Sequence, residues 1–241
     1  MKNRLLRGIV FLMVASTASV STVVASSITI GEYDIDNCFP YSCFVAHTHA
    51  TVNLTEWQQH FSASAFGFSG PVFIDAFSLF RASDGVSDSG SFDVFLSYAA
   101  NPLGSDSTDL ASNVGAHNTL FATISTGPTV PAILTVTGNS PFLYDPLNGD
   151  LIIDVVTLGF TSIGQGQNGY FKADFTGSDT QRNFSQLFGG NTANGLGGLV
   201  TEFSYTEDAS SVPEPSSLLL LTSGLLALVG AAKRNLRNLP S

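Results

Sequence analysis

Val72-Phe73-Ile74-Asp75-Ala76-Phe77-Ser78-Leu79-Phe80-Arg81 is the stretch on which the fold turns. Side chains along a strand alternate between faces, so Val72, Ile74, Ala76, Ser78 and Phe80 share one face, and Phe73, Asp75, Phe77 and Leu79 share the other. Both sets are mostly apolar, which predicts a strand buried on both sides rather than a half-solvated one. Aromatic and β-branched residues suit such a pleated, enclosed position.

The same composition recurs in both directions from this segment. SITIGEY (27–33), THATVNLT (48–55), FSASAFGF (61–68), SFDVFLSYA (91–99), NTLFATIST (118–126), AILTVTG (132–138), DLIIDVVTL (150–158), GYFKADFT (169–176) and LVTEFSYT (199–206) are further strand candidates. Gly, Asn, Asp, Ser and Pro separate them, as expected of turns. Only NLTEWQQHF (53–61) spaces its apolar residues as a helix would. Ten short strands with frequent turns predict an all-β chain, an antiparallel β-sandwich of jelly-roll type.

Charge is distributed unevenly. Between Ser26 and Val212, 187 residues, the only basic side chains are Arg81, Lys172 and Arg182, against 18 of the 19 acidic residues, a net charge of −15. So acidic a surface excludes nucleic acid and anionic lipid headgroups as partners. Cys38 and Cys43 lie in NCFPYSC, and in an exported chain this spacing predicts a disulfide closing the short loop.

The remaining chemistry is sparse. Asp84 to Gly90 (DGVSDSG) is an acidic, glycine-rich loop, and Asp84 and Asp88 are calcium candidates, but the ligand order of an EF-hand loop is missing. It reads first as a solvated turn, as do Asp106 and Asp109 in GSDSTD. His47, His49 and His60 would need a further ligand to hold zinc, so they read as surface polar groups, and no metal or cofactor is expected. There is no G-x-S-x-G elbow, and neither Gly164-Gln165-Gly166 nor Gly195 to Gly198 joins a strand to a helix. Asp145, Asp150 and Asp154 are the acidic residues to weigh for catalysis. Trp57, Tyr41, Tyr170 and Tyr205 are those to weigh for stacking on sugars.

Both ends read as targeting segments. Lys2, Arg4 and Arg7 precede an apolar stretch from Gly8 to Ala15 and then small residues. That is a secretory signal helix over 1–25, with cleavage after Ala25 and Ala18 as the second choice. At the other end Val212-Pro213-Glu214-Pro215-Ser216-Ser217 is stiffened by its prolines. The apolar run 218–232 and the basic residues Lys233, Arg234 and Arg237 follow. A 15-residue helix is about 22 Å long, short of the ~30 Å hydrocarbon core. It reads as a single transmembrane helix with a cytoplasmic basic stop.

This order of motif, short apolar helix and basic tip resembles the PEP-CTERM sorting signal of Gram-negative bacteria, a tail also labelled as the C-terminal domain of ice-binding proteins. The resemblance spans about residues 212 to 237. It implies an exosortase as processing partner, recognition of Pro213-Glu214-Pro215, passage through the inner membrane, and a membrane-anchored precursor delivered to the cell surface or beyond. GSFDVFLSYAANPLGS, HNTLFATIS and SPFLYDPLNGDLIIDV also look like the β-sandwich that commonly precedes such tails. In that sandwich a YDP-x-x-G segment recurs, here Tyr144 to Leu151. In physical terms the segment is a turn: Asp145-Pro146 opens it and Asn148-Gly149 supplies positive φ.

The domain order expected is therefore a signal peptide over 1–25, a β-sandwich over 26–211, and a sorting signal over 212–237. The function expected is that of a non-enzymatic structural or adhesive component of an exopolysaccharide or biofilm envelope, with extracellular polysaccharide as partner. A carbohydrate-binding module is the alternative, and an exported hydrolase the second alternative.

Overall fold

The computed structural model describes residues 25–37, 43–45, 50–52, 54–83, 89–127, 129, 131–161, 170–186 and 192–207. The strands are β1 (Ser26–Ile30), β2 (Ile35–Asn37), β3 (Cys43–Val45), β4 (Ala50–Val52), β5 (Leu54–Phe61), β6 (Val72–Ser83), β7 (Ser89–Tyr98), β8 (Thr119–Thr126), β9 (Ile133–Tyr144), β10 (Leu151–Thr161), β11 (Tyr170–Asp174), β12 (Thr180–Gln186), β13 (Thr192–Leu196), β14 (Gly198–Leu199) and β15 (Thr201–Glu207). One turn of helix, α1 (Ala63–Phe66), and two 3-10 turns, Leu110–Asn113 and Pro146–Asn148, interrupt them.

The antiparallel pairs β1·β15, β5·β10, β6·β9 and β7·β8 nest one inside another along the chain. That nesting lays down two sheets. The first contains β1-β15-β6, with β9 on the far side of β6, and the second contains β5-β10-β7-β8. Four nested pairs folded into two facing sheets are the jelly-roll arrangement. Additions extend each sheet: β12 and β13 lie beyond β5, while β11, with β2 and β14, meets the far end of β6.

The deciding segment becomes β6, held between β15 and β9. Both ladders slip at Asp75, between Ile74 and Ala76 on one side and between Ser204 and Tyr205 on the other. A bulge of this kind inverts the alternation. As a result Phe77 and Leu79 join Val72 and Ile74 in the core between the sheets, while Ala76 and Ser78 are buried on the opposite face. Phe61, Phe66, Tyr144 and Phe203 form the aromatic centre of that core. Ring centroids are 5.0 Å apart for Phe61–Phe203, 4.9 Å for Phe66–Tyr144 and 5.1 Å for Phe66–Phe203.

Two segments differ from the sequence reading. From Leu54 to Phe61 this segment is strand β5 and not a helix, because it finds partners on both sides, β10 and β12, and strand pairing outweighs local spacing. Trp57, Gln59 and Phe61 then point into the core, where Gln59 imitates a strand neighbour: its amide donates to Leu199 O at 2.8 Å and accepts from Leu199 N at 2.8 Å. FSASAFGF is not a strand beyond Phe61. Ser62 caps α1, and Gly67 (φ 62°) closes it in the left-handed region that glycine tolerates.

The signal segment before Ala25, and residues 212–237 with the apolar run 218–232, lie outside the described residues. Among the described residues no helix is long and apolar enough to cross a membrane.

Candidate functional site

The outward face of the second sheet carries Glu56, Gln58 and His60 from β5, Asp154 from β10, and Gln181 and Asn183 from β12. In a two-layer sandwich such a face meets water. Here the connection between β7 and β8 folds back over it, placing Asp106, Leu110 and Asn113 against the sheet, each less than a tenth exposed. Burying so many polar groups requires partners for them. Asn113 Nδ2 donates to Gln58 Oε1 at 3.2 Å and to Ser107 O at 2.9 Å, and Gln58 Nε2 donates to Leu110 O at 3.0 Å. Gly104 N donates to Gln181 Oε1 at 2.7 Å.

His60 is the centre of this layer and is fully buried. Its Nδ1 lies 2.9 Å from Asp106 Oδ1 and its Nε2 lies 3.1 Å from Asp150 Oδ2. Both bonds form together when both ring nitrogens carry protons, or when one aspartate supplies the proton. The carboxylates have further donors. Asn183 Nδ2 reaches Asp106 Oδ2 at 2.7 Å, and the Ala63 and Leu103 amides reach Asp150 at 2.7 and 3.2 Å. One imidazole thus ties together β5, the β7–β8 connection and the turn before β10.

A second feature lies on the same face. Burial first, and then the charge of Glu56, push the Asp154 carboxyl up to about 7, and burial also raises Glu56. The two carboxyls influence each other's proton affinity. Among the described residues no group of three or more His, Cys, Asp or Glu side chains is arranged to hold a metal ion.

The residues singled out from sequence scatter across the fold. Asp145 is a turn residue: its carboxylate accepts from Leu147 N at 3.0 Å, and its backbone N donates to Tyr98 Oη at 2.8 Å. Asp150 anchors His60, and Asp154 is influenced by Glu56, so the three aspartates form no common centre. His60 is not a surface group, and Asp106 is not a solvated loop residue, because each satisfies the other in a buried layer. Asp109 is exposed, as expected of a loop.

Trp57 belongs to the core at 2% exposure and offers no stacking platform, and half-buried Tyr205 packs on Phe68 at 4.6 Å. Gly195 and Gly198 lie in β13 and β14, on either side of a left-handed Gly197. Ala25 is exposed just ahead of β1, and Cys43 opens β3. Cys38, Tyr41, His47, His49, Asp84, Asp88, Gly164, Gly166 and the tail residues Val212, Pro213, Glu214, Pro215, Lys233, Arg234 and Arg237 lie outside the described residues, as does the ring of Tyr170. Glu56, Gln58, Asn113 and Asn183 went unnoticed in the sequence. The available signal was the polar alternation Glu56, Gln58, His60 on a strand whose other face is apolar.

Taken together, the fold and the tail define an exported jelly-roll domain followed by a sorting segment. One family model, the PEP-CTERM protein-sorting motif, matches the chain at residues 211–234. The chain therefore carries a PEP-CTERM protein-sorting motif, which supports export, sorting by an exosortase and a precursor anchored in the membrane through its C-terminal tail. No curated protein and no solved structure matches it.

Proposed function

We propose that the jelly roll is a non-enzymatic structural or adhesive component of the cell surface, held in an exopolysaccharide-rich matrix. The observation that carries this reading is the sorting motif at 211–234, which begins four residues after β15 ends at Glu207. An exported sandwich followed at once by a surface address has delivery as its first task.

Replacing Pro213, Glu214 and Pro215 together by alanine should leave the protein in the membrane fraction and abolish surface delivery. Unchanged delivery would sink the proposal. In the same cells, wild-type protein should be retained on the matrix polysaccharide, and free elution would remove the adhesive part. Intact-mass analysis of surface protein should give the ends left by signal and tail cleavage, and a Cys38–Cys43 disulfide as a loss of two hydrogens.

A further inference from the structure

Arg182 is one of three basic residues between Ser26 and Val212, where 18 acidic ones surround it in the sequence. A half-buried guanidinium needs an anionic partner, and the composition offers many. Yet among the described residues no carboxylate pairs with Arg182, and its buried Nη1 has no hydrogen-bond partner. Burial lowers its pKa, and no acid of the chain offsets that. β12 sets Arg182 directly opposite Gln59 of β5, so its side chain leaves the sheet on the inward face. Gln59 cannot serve it, because both ends of that amide are engaged with Leu199.

The surroundings keep the guanidinium available. Its Cζ lies 3.6 Å from the centroid of the Phe175 ring, a stack that fixes the plane and covers one face. The N–H donors remain around the edge, in the fork that matches a carboxylate. On β13, Gly195 stands opposite Arg182, and a Cβ added there would meet nothing within 4 Å. A glycine inside a strand often marks close approach by another molecule. Trp57, diagonal to Arg182 across the β5–β12 ladder, is 2% exposed, and its Nε1, a donor only, also has no partner. Two donors without acceptors share this face, beside open space.

We infer that Arg182, stacked on Phe175, binds the carboxylate of a uronic acid residue in an acidic polysaccharide, beside Gly195 on β13. The choice of a sugar acid rests on the proposed place of the domain in an exopolysaccharide-rich matrix; the need for a carboxylate rests on Arg182 alone. The net negative charge of the chain does not forbid this, since at physiological ionic strength exposed charges are screened beyond about 8 Å.

The test titrates oligogalacturonate into the full-length chain in mild detergent and calcium-free buffer, followed by calorimetry and by thermal melting. Binding should saturate and raise Tm, while the methyl ester of the same oligosaccharide, acetate and inorganic phosphate should each bind far more weakly. Arg182→Gln should weaken oligogalacturonate binding at least tenfold, whereas Lys172→Gln should leave it unchanged. Removing an unpaired charge should not harm folding. If Arg182→Gln nevertheless fails to fold, Arg182→Lys decides the matter, because it keeps the charge, loses the fork and should still bind more weakly. Absence of binding overturns the inference. So does binding at wild-type strength by either Arg182 variant, loss of binding with Lys172→Gln, or equal binding of the methyl ester, acetate or phosphate. Sorting is read separately: the variant with Pro213, Glu214 and Pro215 replaced should bind oligogalacturonate as wild type does, so failure of the site and failure of delivery are told apart.

Discussion

Asp174 closes β11 with a carboxylate that accepts from Glu32 N at 2.9 Å, Thr176 N at 3.1 Å and Gly177 N at 2.6 Å. Burial alone would raise its pKa, but these backbone donors outweigh burial and hold it below the ordinary aspartate value. A carboxyl with a depressed folded-state pKa stabilises the fold at pH above its unfolded value, near 4, and this contribution disappears as pH falls through the folded value. Asp174→Ala leaves three amides short of an acceptor and should cost about 2–3 kcal/mol at neutral pH, read by urea denaturation. The difference between wild type and variant should shrink as pH falls below about 4 and through the depressed folded-state value. A difference independent of pH would show that the carboxylate charge is not what matters.

At the scale of elements, the connection between β7 and β8 behaves as a third layer laid over the second sheet. His60 fastens it through two hydrogen bonds to Asp106 and Asp150, and leaving a buried polar group without its partner costs about 1–3 kcal/mol per group. His60→Ala should therefore lower stability by an amount of that order and speed protease cleavage within 99–118 ahead of global unfolding. Limited proteolysis with mass mapping checks both the site and the order of events; first cleavage elsewhere would refute the fastening role.

This layer is where sequence reading fell short. Strands rich in Val, Ile and Phe, such as VFIDAFSLFR and DLIIDVVTL, announce themselves because their partner is water-excluding bulk, which composition records. TQRNFSQ becomes β12 without apolar alternation, since Gln181 and Asn183 answer to polar groups of the covering connection. His60 and Asp106 are 46 positions apart. Their meeting depends on how the connection folds back, and no local pattern encodes that.

At the scale of the whole molecule, the nested pairing makes most contacts long-range, and the outermost pair joins the first described strand to the last: Ser26 lies opposite Tyr205. β15 sits inside its sheet, between β1 and β6, so the sandwich cannot close before that strand arrives. Folding of such topologies takes milliseconds to seconds. A chain ending before Thr201 should give no cooperative unfolding transition, while one ending after Glu207 should unfold cooperatively, as circular dichroism in urea would show. A cooperative transition in the shorter chain would contradict the central role of β15.

The position of β15 also sets how the molecule bears load. A pull transmitted through the residues after Glu207 enters along a strand bonded on both flanks, to β1 and β6. Drawn lengthwise, those hydrogen bonds stretch together and none can be peeled off first. A domain tethered in this way should hold fast under drag from flowing water, since its release requires a whole row of bonds to yield at once.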